Sequence, residues 1–199
     1  MNSILEDIRK LSEIEFLPIL SNECEDVLID LMHKEKPQKI LEIGTCVGYS
    51  SSIMLLNSDA TIETIELDEE RQKVAKNVWA SQKLQDRVTA YLGDANVILK
   101  DVIKGKEYDF VFLDGPKSRY LEHFNIVIDS VKKGGIILAD DVLFFGLVKG
   151  EEHVAHKHRT IVRHLREFLE DIEHRDDVEM ELIKEGNGIA IIRKKWLNY

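Results

Sequence analysis

Between Lys39 and Asp140 the chain alternates between short β-rich runs and segments with helical spacing, and this alternation limits the possible folds more than any other feature. The strand candidates are KILEIGT, TIETIELD, RVTAYLGD, YDFVFLD and GIILAD, each followed by a helical pattern such as EERQKVAKNVWASQ or YLEHFNIVIDSVKK. Strands separated by helices run parallel, in a sheet covered on both faces. The end of the chain reads differently: EMELIKEGNGIAIIRK is two short strands around Glu-Gly-Asn-Gly, an antiparallel hairpin. The expected fold class is α/β, a three-layer Rossmann-like arrangement whose mostly parallel seven-stranded sheet ends in a C-terminal antiparallel hairpin. A plain dinucleotide-binding domain does not usually carry that hairpin.

At 199 residues the chain fits a single domain with a full core, read as N-terminal helices over 1–37 and a Rossmann-like core over 38–199. SILEDIRKLSEI has helical spacing, Pro18 follows in a connector, and Ser21 or Asn22 caps a second helix, ECEDVLIDLMHKEK, which Pro37 ends. Ile161, Val162, Leu165, Phe168, Leu169 and Ile172 share one face of an amphipathic helix expected around residues 152 to 174. No apolar run reaches the roughly 18 to 20 residues of a membrane helix, and MNSILEDIRK does not resemble a secretion signal. A cytoplasmic protein is expected. Two cysteines, Cys24 and Cys46, without CxxC spacing suggest neither a disulfide framework nor a zinc site. A net charge of −10 argues against nonspecific nucleic-acid binding over the whole surface.

Ligands of open α/β sheets bind outside the carboxyl ends of the strands, and here those ends hold polar residues. In LEIGTCVGYSS, Gly44 and Gly48 permit a tight turn and close backbone approach ahead of a helix N-terminus. The second glycine of a GxGxxG fingerprint falls at Cys46, whose side chain crowds a pyrophosphate. About twenty residues on, Glu66 is placed to accept both hydroxyls of a ribose. Asp94 and the Ala95 backbone, in LGDA, are candidates to border an adenine ring. Glu42, Glu66, Asp94 and Asp114 would then form an acidic rim that repels a phosphate-bearing cofactor and welcomes a cation. S-adenosylmethionine, an adenosine with ammonium and sulfonium and no phosphate, fits that charge. Acids at strand ends also cap helices, and Asp68 and Asp94 are placed to do so.

Asp114, Asp140 and Asp141 close two neighbouring strands, and like charges gathered there need a cation or protons. Mg²⁺ or another hard divalent ion favours such oxygen ligands and keeps positions open for water or substrate. A substrate offering two adjacent oxygens to that ion would have a more acidic hydroxyl, and Lys117 is the nearby candidate to take its proton.

In this order, LEIGTCVGYSS, TIELD, LGDA, FLDGPKSRY and LADDVLFFG resemble the successive motifs of the metal-dependent class I O-methyltransferases, the catechol and caffeoyl-CoA group, over roughly residues 18 to 146. The resemblance implies the methyltransferase version of the fold. It implies Glu42, Gly44, Gly48, Ser50, Glu66, Asp94, Ala95 and Asp114 around the methyl donor, and Asp114, Asp140 and Asp141 around the metal. Lys117 matches the family's general base, and relatives of this type are often dimers, so a homodimer is expected. The chain departs from the family at Asp141, where Asn is usual.

Two acceptors are open, a catechol-like small molecule or the 5-hydroxyuridine of a tRNA, the latter because a bacterial subgroup resembles the tRNA enzymes. HKHRTIVRHLR carries Lys157, Arg159, Arg163 and Arg166 on an otherwise acidic chain, with the bases ahead of Glu167, Glu170 and Asp171. That order opposes the helix dipole, so a tRNA-backbone contact at Arg159 and Arg163 is expected beside the alternative of a solvated helix face. Phe144 is read as a wall for a flat substrate ring, with Phe145 beside it, and His153, His156 and His158 are spaced too loosely for a transition metal. An NAD-dependent oxidoreductase, which Gly44, Gly48 and Glu66 alone would permit, and a nonenzymatic nucleoside-binding protein are the competing classes.

Overall fold

The computed structural model describes residues 3–15, 17–148, 150 and 154–196. Two helices, α1 (Ser3–Glu15) and α2 (Asn22–Glu35), precede β1 (Lys39–Ile43), α3 (Tyr49–Leu56), β2 (Thr61–Glu66), α4 (Glu69–Ser81) and β3 (Val88–Leu92). Then come α5 (Ala95–Ile103), β4 (Tyr108–Leu113), α6 (Tyr120–Val127), β5 (Val131–Ala139), α7 (Arg159–Glu173), β6 (Val178–Ile183) and β7 (Ile189–Lys194). The strands form one seven-stranded sheet in the order β3-β2-β1-β4-β5-β7-β6. The first five are parallel, and β7 pairs antiparallel with both β5 and β6. This is the expected α/β architecture with its terminal hairpin.

Strand periodicity divides the core in two. Leu41, Ile43, Val111, Leu113 and Ile137 point to one face, under α5, α6 and α7, and Ile40, Phe110, Phe112, Ile136 and Leu138 point to the other, under α1 to α4. Full burial of each such side chain is worth roughly 1.5–3 kcal/mol. Ser21 caps α2, its hydroxyl accepting from the Cys24 N–H, and Asp68 and Asp94 cap α4 and α5 through the amides of residues 70, 71 and 96.

Two boundaries differ from the sequence reading. Val131, Lys132 and Lys133, expected at the end of a helix, begin β5 instead: Val131 pairs with Tyr108, and the Lys132 ammonium meets Asp109 Oδ1 at 2.6 Å. Pairing with β4 outweighs the helical spacing there. The helix expected from residue 152 begins at Arg159 after one tight turn over His156–His158, while His153 lies outside the described residues.

The strand order reverses between β1 and β4, which opens a crevice at their carboxyl ends. Gly44 sits in it at φ +101°, and a β-carbon there would lie 2.5 Å from the Asp114 carbonyl oxygen. Only glycine lets the two strand ends approach so closely. On the far side, Val142 and Leu143 donate their N–H groups to Gly188 and Asn187 of the hairpin turn, at 3.0 and 2.8 Å. The hairpin is thereby fastened to the loop that follows Asp141. Among the described residues no helix is long and apolar enough to cross a membrane.

Candidate active site

A cavity of about 510 Å³ occupies this crevice. One end lies at the glycine turn and the end of β2. Glu66, at the end of β2, accepts the Cys46 N–H at 2.7 Å and the Leu67 and Asp68 N–H groups at 2.9 Å, which ties the glycine turn to β2. A carboxylate has about four lone-pair sites, so it retains capacity toward the cavity. Asp94, Ala95 and Asn96 line the next stretch, and Asn96 Oδ1 lies 3.1 Å from Nε2 of the fully buried His123.

At the other end the carboxylates gather. The Lys117 ammonium donates to Asp114 Oδ1 at 2.7 Å and to the Tyr120 hydroxyl at 2.9 Å, and it stands 3.5 Å from Asp141 Oδ2. The Tyr120 hydroxyl is offered in turn to the carbonyls of Leu113 and Asp140, both at 2.9 Å, which clamps the ends of β4 and β5 together. Burial raises the Asp114 carboxyl above its usual range although Lys117 opposes the rise. Burial, with Asp114 and Asp141 nearby, pushes Asp140 up to about 7. Burial alone would lower the Lys117 pKa, but Asp114, Tyr120, Asp141 and Asp140 outweigh it and hold the ammonium well above its ordinary value. Asp141 adopts φ +57°, in the left-handed region, where Asp and Asn are the side chains best tolerated after glycine. The exchange of Asn for Asp at this position therefore leaves the turn undisturbed.

Several expected site residues lie elsewhere. Glu42 is not on a rim: it is fully buried beneath the glycine turn, where Ser50 and Thr64 donate hydroxyl hydrogen bonds to its two oxygens. Burial pushes its carboxyl up to about 8, so it is largely protonated at neutral pH and adds little charge to the cavity. Ser50 and Gly48 share this underlayer rather than lining the cavity, and a β-carbon on Gly48 would press on the Trp79 indole. Phe144 also stands outside the lining, edge-on to Phe145 and His158 at 5.1 and 5.4 Å. Asp114, Asp140 and Asp141 all line the cavity, yet among the described residues no three His, Cys, Asp or Glu side chains are assembled as a ready metal cage. The cation between these carboxylates is Lys117 itself. Of the basic stretch, Arg166 is consumed by the carbonyls of Leu147, Val148 and Gly150, and Arg163 pairs with Glu167 at 3.6 Å. Arg159 donates to the Val154 carbonyl.

A family model described as O-methyltransferase matches residues 2–195. The chain belongs to the O-methyltransferase family. Catechol O-methyltransferase of Sus scrofa is 32% identical over 161 residues, covering 77% of this chain and 87% of the relative. Caffeoyl-CoA O-methyltransferase of Populus kitakamiensis is 27% identical over 185 residues, 89% of this chain and 77% of the relative. The crystal structure of an O-methyltransferase from Bacillus cereus in complex with SAH superimposes with a TM-score of 0.84 at 24% identity, covering 98% of this chain and 92% of that one, and shows the same fold.

Within this O-methyltransferase some positions at the cavity carried no sequence signal. Pro18, Ile19 and Ser21, the connector between α1 and α2, form part of the cavity wall. Asn187 reaches the cavity from the hairpin turn, and Arg71 from the first turn of α4. Cys24, fully buried in the first turn of α2, stands beside Asp140, where burial and then the carboxylates push its thiol far up. For Tyr120 the signal was there, as the tyrosine three residues after Lys117.

Proposed function

We propose that the chain moves a methyl group from S-adenosylmethionine to an acceptor hydroxyl lying beside a second oxygen, with Mg²⁺ or another hard divalent cation held by Asp114, Asp140 and Asp141. The observation that carries this reading is that one cavity joins a nucleoside end, at Glu66 and Ala95, to a carboxylate–ammonium end at Asp114, Asp141 and Lys117. Its volume lies within the roughly 300–1,000 Å³ of small-molecule sites. The turn at Gly44 has Cys46 where a pyrophosphate needs glycine, so the oxidoreductase reading gives way. That the Bacillus cereus enzyme was crystallised with SAH agrees with this assignment.

S-adenosylmethionine supplies an electrophilic methyl on sulfur, so the protein's task is alignment and charge rather than a covalent intermediate. Asp114 and Asp141 meet one ammonium with Asp140 lining the cavity beside them, and these hard oxygen donors would suit a divalent ion, which when bound would supply Lewis acidity to an acceptor hydroxyl. Lys117 is held as an ammonium by Asp114 and Asp141. Were those carboxylates to hold a divalent cation, the ammonium would lose the partners that keep it charged, and once its proton passed to solvent Nζ could accept the acceptor's, with Tyr120 keeping it in place. Pro18 and Ile19 form part of the cavity wall.

The pig and poplar relatives favour a catechol-like small molecule as acceptor. One observation favours 5-hydroxyuridine tRNA: Phe145 is 71% exposed and packs on Phe144, which meets His158 of the basic stretch, between Lys157 and Arg159. Exposed aromatics among bases suit an unstacked nucleotide. A homodimer rests on resemblance alone. Calorimetric titration with S-adenosylmethionine and, separately, NAD tests the cofactor assignment: binding of the first only is expected, and binding of NAD alone or of neither would refute it.

A further inference from the structure

His123 is fully buried in α6 at the nucleoside end of the cavity, with its ring beneath Gly115. Its partner is Asn96, and the contact on the other side of that carboxamide identifies which of its atoms faces the ring. Asn96 Nδ2 donates to Asp94 Oδ1 at 2.7 Å, so Oδ1 is the atom that faces His123. An oxygen at 3.1 Å requires a donor, which places the imidazole proton on Nε2. Burial lowers the His123 pKa and keeps the ring neutral. Nδ1 is then a bare acceptor, and it is buried without a partner.

A buried, half-satisfied imidazole is costly where leucine or phenylalanine would fill the space without penalty. The cost is offset by what Nε2 does for Asn96. Behind the carboxamide lies an open groove of about 520 Å³ between α5 and α6, lined by Asn96, Lys100, Glu122 and Asn125. With that groove behind it, the amide depends on its hydrogen bonds for orientation, and the Asp94 bond is solvent-exposed. Without His123 only the solvent-exposed Asp94 bond opposes a turn of the amide, which exchanges oxygen for NH₂ at nearly the same shape.

Ala95 and Asn96 begin α5, and the Ala95 N–H, in the first turn, has no intrahelical acceptor. The cavity end thus offers a backbone donor beside a carboxamide oxygen with a spare lone pair. Adenine presents the matching edge, an acceptor at N1 and an amino donor at C6. A 6-oxopurine presents the reverse, with a protonated N1 and a carbonyl.

We infer that His123 is a specificity-determining positioning residue: by holding the Asn96 oxygen in one orientation it makes the cavity select a 6-aminopurine nucleoside over its 6-oxo counterpart. This rests on the S-adenosylmethionine reading of the cavity. Calorimetry of S-adenosylhomocysteine and S-inosylhomocysteine, on wild type, His123→Leu and His123→Gln, tests it. Wild type should prefer the adenosine compound by at least about tenfold, one hydrogen-bond mismatch. His123→Leu should bring the two affinities close to equal, and His123→Gln, which retains an N–H toward Asn96, should restore most of the preference. A purely structural histidine would weaken both ligands alike, so an unchanged ratio in a folded Leu variant overturns the inference. If that variant fails to fold, ¹⁵N spectra of wild-type His123 decide: an Nε2–H tautomer is expected, and an Nδ1–H tautomer overturns it. Binding of neither nucleoside to wild type would bring down the cofactor reading itself.

Discussion

Removing one oxygen atom, in Tyr120→Phe, tests whether the end of the cavity is held as described. The ring keeps its place, edge-on to Phe168 at 5.7 Å between centroids, so packing is preserved and only the hydroxyl is lost. That hydroxyl is fully buried and accepts from Lys117 at 2.9 Å. Its single proton is shared between the Leu113 and Asp140 carbonyls. Leu113 retains the Asp140 N–H at 3.2 Å, whereas the Asp140 carbonyl loses its donor. An unsatisfied buried carbonyl costs about 1–3 kcal/mol, and a hydrogen bond to a charged group is worth about 1.5–3 kcal/mol. Lys117 keeps Asp114, so the two do not add in full, and the expected loss is about 2–4 kcal/mol. For a chain of this length that lowers the unfolding midpoint by about 5–15 °C. Urea unfolding of wild type, Tyr120→Phe, Lys117→Met and the double variant measures it. The expected coupling between the two sites is about 1 kcal/mol or more. A single-variant loss below about 0.5 kcal/mol, or additive effects, would refute the clamp.

Gly44→Ala forces a β-carbon to within 2.5 Å of the Asp114 carbonyl at φ +101°; a stability loss of about 1–3 kcal/mol with weakened nucleoside binding is expected from calorimetry and thermal unfolding. Glu42 is held at about 8 against an ordinary 4.5, so the folded state keeps a proton that the unfolded chain releases. The stability it lends is complete below about pH 4.5 and is lost as pH rises through 8. Relative to Glu42→Gln, which does not titrate, wild type should lose stability from pH 5 to 8 in urea unfolding; a constant difference would show the carboxyl to be ionised throughout. Arg159→Ala with Arg163→Ala should weaken tRNA binding and flatten its salt dependence if tRNA is the acceptor, and leave methylation of a catechol unchanged.

What the sequence made legible was local. The βα alternation, the Ser21, Asp68 and Asp94 caps and the Glu-Gly-Asn-Gly hairpin each rest on neighbours along the chain, and each stands in the fold. The acids at the strand ends were legible as a group, but not their depths. Glu42 lies one residue before the end of β1 and Glu66 ends β2, yet Glu42 is hydrogen-bonded to Ser50 and Thr64 beneath the turn, while Glu66 lines the cavity. Contacts between distant segments left no pattern to read. The Asn96–His123 pair spans 27 residues, the Pro18–Ser21 wall comes from outside the alternating region, and Arg166 looked like part of a binding face until its guanidinium met the carbonyls of residues 147, 148 and 150.

The most direct test of the account is methyl transfer from labelled S-adenosylmethionine, run with Mg²⁺ and with chelator, to a simple catechol and to tRNA carrying 5-hydroxyuridine. The account predicts label on one of these acceptors, lost with chelator and lost again in Lys117→Met. Label that persists undiminished in chelator would contradict the metal-assisted mechanism, and undiminished transfer by Lys117→Met would remove the lysine from the chemistry.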